Sequence, residues 1–534
     1  MVKATCVHSR APFRTLQIII VLIAFTLRIW ELDHRSLWFD ESMEYWGATA
    51  PPGQLLASVQ RAIQDPPLYS ALLHLWMEFG RAEFQLRLLS VLAGTLSVAA
   101  MVLIGRRIGQ PLAGVVAALL LALLPGEIRY SQEVGQYGLM LCLLCFASAA
   151  WLEANRSGRM RAWVAWLLLA VAATYTYYGA LFLAVIPLVV ALVMAAARRQ
   201  WPATGRMILA AFGYALCVAP LALFFLPHQL LRGPTAAAGQ AAFAAPWAEV
   251  QNFLEATQSL LAFQLTGWPW TQLPVWLPAT AMLFLLFVAA VCAATDKTVR
   301  LLCLALGATV AGYYLVSRWN FFPYGYRYGL ILIPLLLPAA GVGAAALLRQ
   351  GRQRAGLALV GGLLLFGLLG MEIVSLPHQG VRNVASAATV SYRWPEEEEL
   401  RPLAAYWLER RKPGQITYVY YGAVPGFRYY LRRLGADPQP LPATWYLDCW
   451  RSSAPGYCQE DGIYFGRSLR AVAPADKGRA VTEQLPTNFT SGWFVFSHTV
   501  ADEQALILHT LQDEYTIVEQ KETPGAAIFL LERH

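Results

Sequence analysis

Phe39-Asp40-Glu41 places two adjacent carboxylates just beyond the first apolar run of the chain, where a group presented at a membrane surface would be met. An ionised carboxylate can accept the proton of a hydroxyl while that oxygen attacks a carbon, a contribution of ~10²–10⁴-fold. Asp65 and Glu133 add further acids in connections between apolar runs. Arg28, Arg129, Arg318 and Arg327 put guanidinium groups near the ends of such runs. The planar fork of arginine matches phosphate oxygens, and a cation beside a departing phosphate stabilises the charge growing on it. Each residue has a plainer reading as well: a capping or solvated acid, or an arginine snorkelling to the interface.

The elements that must position these groups are membrane helices. The chain has 534 residues, of which 57% are hydrophobic and 14% charged, and its mean hydropathy is +0.45. That composition excludes an ordinary soluble globular enzyme. Apolar runs near the ~20 residues that cross a bilayer cover Leu16–Trp30, Leu88–Ile104, Leu112–Pro125, Leu139–Leu152, Ala162–Tyr178 and Ala180–Ala197. They continue over Met207–Leu226, Val275–Ala294, Leu301–Val316, Leu330–Leu348 and Leu357–Val374. The reading is a polytopic α-helical membrane protein with about eleven transmembrane helices in residues 1–375, followed by an α/β domain in 376–534.

The net charge of +8 could suggest a polyanion, but its location argues otherwise. Lys3, Arg10 and Arg14 precede the first run, and Arg106/Arg107, Arg156/Arg159/Arg161, Arg198/Arg199/Arg206, Lys297/Arg300 and Arg349/Arg352/Arg354 fill every second connection. By the positive-inside rule these lie in the cytoplasm with the amino terminus, and an odd number of crossings carries the last segment to the extracytoplasmic side. The charge reports topology, and no nucleic-acid partner is implied. The first run lacks a small-residue cleavage site and reads as a retained helix.

Of eight cysteines, five fall in apolar runs and Cys6 is cytoplasmic; Cys449 and Cys458 share the outer domain, and whether they form a disulfide stays open. No Cys or His spacing resembles a zinc site. The connection Asp33–Gln85 is long enough to suggest function, with Leu55, Leu56, Val59 and Ile63 on one face of an expected interfacial helix. Glu127–Glu133 reads as a short polar connection, and Pro227–Trp276 as a long aromatic one. In the last segment Pro395 and the four acids after it read as the start of a helix reaching Arg411. Ile416–Tyr421, Gly492–Ser497, Tyr515–Glu519 and Ala527–Leu531 read as strands, with helices over Gly426–Leu434 and Asp502–Leu511. Asn488-Phe-Thr matches a glycosylation sequon and carries little weight.

Leu37-Trp-Phe-Asp40-Glu41, Asp65-Pro-Pro-Leu-Tyr69, Ser131-Gln-Glu133 with Tyr137, and Arg327-Tyr328 with Pro334 together resemble the GT-C glycosyltransferases. More narrowly, the ordered set is similar to protein mannosyltransferases and bacterial relatives of the lipid A aminoarabinose transferase kind. The resemblance covers roughly the first 350 residues. It implies a GT-C fold and transfer of a hexosyl or pentosyl group from a polyprenyl (undecaprenyl) phosphate to a hydroxyl of a cell-envelope glycan, lipid or protein. The reaction would invert the anomeric centre at the periplasmic face of a bacterial inner membrane.

On that resemblance Asp40 is the base. Glu41 holds the loop of Asp40, a metal ion or a basic residue, and Glu133 contacts the acceptor or positions a divalent ion, a possible cofactor that no residue pattern fixes. Arg327, Arg129, Arg28 and Tyr328 form the donor phosphate site, and Asp65, Tyr69 and Tyr137 contact substrate. Two departures stand out. Relatives commonly read Ser-Gln-Glu-Ala-Arg-x-Tyr where this chain has Val134-Gly135-Gln136 before Tyr137, and Asp65 stands where relatives usually carry histidine. The outer domain's Tyr418–Tyr430 and Phe494–His498 stretches are assigned to acceptor selection. A transporter or flippase of lipid-linked sugars, or an oligosaccharide polymerase or ligase, is the alternative; transporters place ionisable residues near the bilayer midplane, whereas these acids gather in outer connections.

Overall fold

The structure, a computed structural model, describes residues 10–50, 53, 55–56, 65–227, 246–266, 276–318, 324–350, 355–375, 398–436, 459–460, 462–469, 472–487, 489–499 and 502–534. Its helices are α1 (Arg10–Ile29), α2 (Phe39–Ala48), α3 (Leu68–Trp76), α4 (Glu83–Arg107), α5 (Pro111–Leu123), α6 (Pro125–Ser131), α7 (Gln136–Ser157), α8 (Met160–Thr176), α9 (Ala180–Ala197), α10 (Trp201–Pro220), α11 (Pro246–Thr266), α12 (Trp276–Cys292), α13 (Lys297–Ser317), α14 (Ile333–Gln350), α15 (Ala355–Ser375), α16 (Arg401–Arg410), α17 (Val424–Arg433), α18 (Lys477–Thr482) and α19 (Glu503–Leu511). Six strands follow in the last segment: β1 (Ile416–Val419), β2 (Gln459–Glu460), β3 (Ile463–Phe465), β4 (Ser491–Ser497), β5 (Tyr515–Thr523) and β6 (Ala526–Arg533). The chain forms two compact units. One contains Met1–Leu32, Asp65–Tyr69 and Arg87–Ala385; the other contains Asp33–Gln64, Ser70–Leu86 and Ser386–His534.

In the first unit each of the eleven apolar runs coincides with a helix. Among the described residues six helices are long and apolar enough to cross a bilayer: α4, α7, α9, α10 with its π extension, α13, and α14 with the turn before it. A seventh candidate is the pair α5 and α6, bent by 64°. The count of eleven crossings therefore continues to rest on patterning. Ile18 and Leu22 of α1, Phe212 and Leu216 of α10, Phe284 of α12 and Phe366 of α15 are exposed, faces that suit lipid rather than water.

Four expectations are corrected. The connection between Pro227 and Trp276 contains α11, whose mixed composition, with Glu249 in its first turn, hid it. The stretch read as a polar connection begins inside α6, all seven residues of which are buried. Asp40 and Glu41 lie in the first turn of α2 rather than in a loop. Glu398 and Glu399 precede α16, which begins only at Arg401. Val59, Ile63, Trp268, Trp270, Cys6, Cys449, Cys458 and Asn488 lie outside the described residues.

Helix α14 shows how tightly the bundle packs. A Cβ on Gly341 would lie 2.2 Å from the Ala113 carbonyl oxygen of α5, and one on Gly343 would lie 1.9 Å from the Leu286 oxygen of α12. Only glycine permits both approaches, the usual device where helices meet without a hydrophobic driving force.

In the second unit a mixed six-stranded sheet runs in the order β2-β3-β1-β4-β6-β5. β1 pairs in parallel with β3 and β4, while β6 is antiparallel to both β4 and β5. The near-continuous burial of β1 and β4 marks them as central, and β5 alternates as an edge strand should. α2 packs against α17, and α16 packs against α17, β5 and β6.

Gly343→Leu forces side-chain atoms into the backbone of α12. We expect a loss of about 1–3 kcal/mol, the usual cost of overpacking, read as a lower melting temperature of the detergent-solubilised protein.

Candidate active site

The sequence Leu124-Pro125 breaks the helical path between α5 and α6. Proline has no N–H to give, so the Leu121 carbonyl loses its usual donor four residues on and is left with the longer bond from the Leu124 N–H at 3.4 Å. Arg28, fully buried in α1, supplies the missing donors. Its Nη2 donates to the Leu121 oxygen at 2.9 Å, and its Nη1 donates to the oxygens of Ala122 at 3.2 Å and Ala24 at 2.9 Å. The same guanidinium forms an ion pair with Glu127 of α6, whose other oxygen accepts from Ser131 Oγ at 2.6 Å. Gly94 of α4 makes room for this pair, since a Cβ there would lie 1.9 Å from Ser131 Oγ and 2.8 Å from Glu127 Oε1. Arg28 is thus engaged at the helix break.

Beyond α6 the chain turns into α7 and brings several expected residues together. Arg129 Nε lies 3.7 Å from Glu133 Oε1, with both side chains buried. Tyr137, in the first turn of α7, joins an aromatic cluster with Tyr130, Tyr177 and Tyr328 at ring separations of 5.3, 5.6 and 6.2 Å. Arg327, half-buried, holds its guanidinium 5.5 Å from the Tyr137 ring and 5.6 Å from that of Tyr328, within cation–π range. Gln136 Nε2 donates to Asp65 Oδ2 at 2.9 Å. Asp65, one departure from the resembled pattern, is thus held by the residue that follows the other, Gly135. Tyr69 is buried in α3. Arg318 pairs with Glu249 of α11 at 3.0 Å, an interaction hidden from the sequence because α11 was.

In the second unit Asp40 occupies the second position of α2 and is half-buried, while Glu41 is buried. Glu41 Oε2 accepts the Trp38 N–H at 3.3 Å, folding back on its own helix start as the acid of a capping box does. Neighbouring donors reach farther. The Phe39 N–H donates to Glu398 Oε2 at 2.9 Å, the Ser36 N–H to Glu399 Oε1 at 3.1 Å, and the Leu37 N–H to the Tyr430 hydroxyl at 2.7 Å. His498 Nδ1 lies 2.6 Å from Glu398 Oε1, and its ring stacks on Phe39 at 4.4 Å. Burial pushes the Glu398 carboxyl above its usual range, and the like charge of Asp40 adds to this, against the lowering effect of the His498 and Phe39 hydrogen bonds.

Glu398 and Glu399 were read from sequence as helix-start acids because an acidic run beside a helix ordinarily serves its dipole. Their long-range partners left no local signal. Among the described residues no group of three or more His, Cys, Asp or Glu side chains is placed to hold a metal ion. Glu133 lies beside Arg129, and Glu41 accepts from the start of α2.

The architecture is similar to that of known proteins. Residues 64–224 match the family described as dolichyl-phosphate-mannose-protein mannosyltransferase. The fold is similar to that of ArnT from Cupriavidus metallidurans in the apo state, with a TM-score of 0.57 and 14% identity over 97% of this chain and 98% of that one. ArnT from the same organism bound to undecaprenyl phosphate aligns with a TM-score of 0.56 and 14% identity, over 98% of each chain. The Archaeoglobus fulgidus oligosaccharyltransferase in the apo form aligns with a TM-score of 0.53 and 11% identity, over 98% of this chain and 74% of that one. No curated protein sequence matches. The family match covers less than a third of the chain, and the likeness to the solved structures is one of fold.

Two outcomes follow. Arg28→Met leaves Glu127 buried without its cation and should cost about 3–5 kcal/mol, whereas Arg28→Met combined with Glu127→Leu should recover part of that loss; thermal unfolding of the single and double variants measures both. For Glu398, a folded pKa raised above 4.5 means that its stabilising contribution is complete below about that pH and is lost as pH rises through the folded value. The difference in Tm, wild type minus Glu398→Gln, should therefore shrink as pH rises from about 4.5 to neutrality.

Proposed function

We propose that this protein is an inverting glycosyltransferase that takes a hexosyl or pentosyl group from undecaprenyl phosphate. The sugar passes to a hydroxyl of a cell-envelope glycan, lipid or protein at the periplasmic face of a bacterial inner membrane. The Asp40 carboxylate accepts the proton of the acceptor hydroxyl while that oxygen bonds to the anomeric carbon. On the opposite face of the sugar the bond from that carbon to the phosphate oxygen breaks, and undecaprenyl phosphate departs with the electron pair. Arg327 meets the charge gathering on the phosphate, with Tyr328 and Tyr137 holding its guanidinium plane. Arg129 lies beside Glu133 as a further cation, and Asp65 with Gln136 offers polar groups to a sugar.

The observation that carries this reading is the Arg327 guanidinium lying 5.5 Å from the Tyr137 ring and 5.6 Å from the Tyr328 ring, in a chain whose fold is similar to that of ArnT bound to undecaprenyl phosphate. A guanidinium beside aromatic rings is a cation whose planar fork matches phosphate oxygens. Arg28 is left out of the phosphate set because its donors face carbonyls and Glu127. That same satisfaction argues against the transporter reading. A buried ionic pair at a broken helix can mark an ion path, but here the groups satisfy one another.

The test uses purified protein with a panel of undecaprenyl-phosphate-linked hexoses and pentoses and a cell-envelope extract as acceptor, and reads released undecaprenyl phosphate. Asp40→Asn should lower kcat by ~10²–10⁴-fold; turnover at the wild-type rate removes Asp40 as base. Arg327→Ala should raise the Kd for undecaprenyl phosphate at least ~10-fold, as expected for a lost charge-assisted contact. Unchanged binding removes Arg327 from the phosphate site.

A further inference from the structure

The geometry points to Glu398 and His498 as positioning residues that hold the first turn of α2, and with it the Asp40 carboxylate, in the orientation needed for proton transfer. The inference rests on the reading of Asp40 as base. Four successive main-chain N–H groups lead into Asp40, and each is taken by a side chain: Ser36 by Glu399, Leu37 by Tyr430, Trp38 by Glu41 and Phe39 by Glu398. Three of those four side chains come from the carboxyl-terminal part of the chain. The residue before the helix, Trp38, makes no side-chain cap of its own.

A helix needing only a stable start would use a local Ser, Thr, Asn or Asp. This one uses a buried carboxylate 359 residues away in sequence, and burying a charge is costly unless its partners are well placed. His498 supplies the partnership in two ways. Its Nδ1 meets Glu398 Oε1 at 2.6 Å, and its ring lies flat on Phe39, 15° from parallel. The chain strains to put it there: His498 has φ +52°, one of only three non-glycine residues with positive φ among those described. Gly422 gives the reversal room, since a Cβ on it would lie 2.8 Å from the Ser497 oxygen and 2.9 Å from His498 Cβ. Strain of this kind persists only where surrounding structure fixes it, and it gathers at functional sites. Since Phe39 is gripped at both its N–H and its ring, the residue that follows it inherits a fixed orientation.

The experiment reads undecaprenyl phosphate release with the best donor of the panel above, together with melting temperature and hydrogen exchange of residues 36–42. Misplacing a reacting group by about 1 Å can cost ~10²-fold. Glu398→Ala should therefore lower kcat ~10²-fold, with donor KM within about threefold of wild type, and should raise exchange at Phe39. Glu398→Gln keeps an acceptor for the Phe39 N–H and should restore kcat to within about tenfold of wild type. His498→Asn tolerates the left-handed backbone and carries the test should Glu398→Ala fail to fold; it should lower kcat at least ~10-fold with little change in melting temperature. In Asp40→Asn/Glu398→Ala the two losses should not multiply, because the second removes only the support of a group already absent.

Wild-type kcat in folded Glu398→Ala and His498→Asn overturns the positioning role, as do multiplying losses in the double variant. A fall in melting temperature with kcat per folded molecule unchanged shows structural support alone and overturns it too. Wild-type turnover in Asp40→Asn would instead defeat the reading of Asp40 as base, which separates the two failures.

Discussion

The first unit depends on one buried guanidinium. In hydrocarbon every main-chain polar group needs a protein partner, and the break at Leu124-Pro125 leaves carbonyls of α5 short of main-chain donors, the Leu121 oxygen meeting the Leu124 N–H at 3.4 Å. Arg28 answers two of them and Glu127 at once, so the bend becomes a stable feature instead of a defect. From it follows the course of α6, with Arg129 near its end, and then the turn that sets Glu133, Gln136 and Tyr137 in order. An arginine that looks from sequence like a ligand for substrate is therefore used one step earlier, in shaping the backbone on which other candidate ligands sit.

The second unit solves a related problem with the opposite charge. The approach to α2 offers consecutive N–H donors, and carboxylates answer three of them: Glu399, Glu41 and Glu398. Arg401 adds the complement, donating to the Asp33 and Arg35 oxygens at 2.8 and 3.0 Å while its Nε pairs with Glu83 at 3.2 Å. The segment carrying Asp40 is thereby gripped through its main chain, which leaves the identity of its accessible side chains open to the needs of chemistry. Asp40, half-buried beside a fully buried glutamate, keeps the partial exposure that a group exchanging a proton with an incoming molecule requires.

What the sequence made legible follows the range of the signal. Apolar runs and alternating strands are local patterns, and α1, α4, α7 and α13 of the bundle and β1, β4, β5 and β6 of the sheet were readable from them. α11 was not, because its exposed Glu255 and Gln251 and its partly buried Glu249 and Asn252 dilute the apolar pattern. α6 was read as polar because Glu127, Arg129 and Ser131 are charged or hydroxylated, yet each has partners inside the protein. The ordered motifs named Asp40, Arg327 and Tyr137 without their surroundings. Glu398, Glu399 and His498 stayed out of reach because their meaning lies in partners hundreds of residues away. The pairing of Asp65 with Gln136 shows the same limit, since the two residues lie 71 positions apart in sequence.

The second unit is assembled from pieces at both ends of the chain. A ribosome makes Asp40 early and Glu398 and His498 late, with the whole helical bundle between them. Throughout synthesis the approach to α2 must wait with its N–H groups turned to water or to temporary partners. Completion of the polypeptide is thus what finishes this segment, and a chain cut short between Ser375 and Glu398 would contain every helix of the bundle yet lack Glu398, Glu399, Tyr430 and His498.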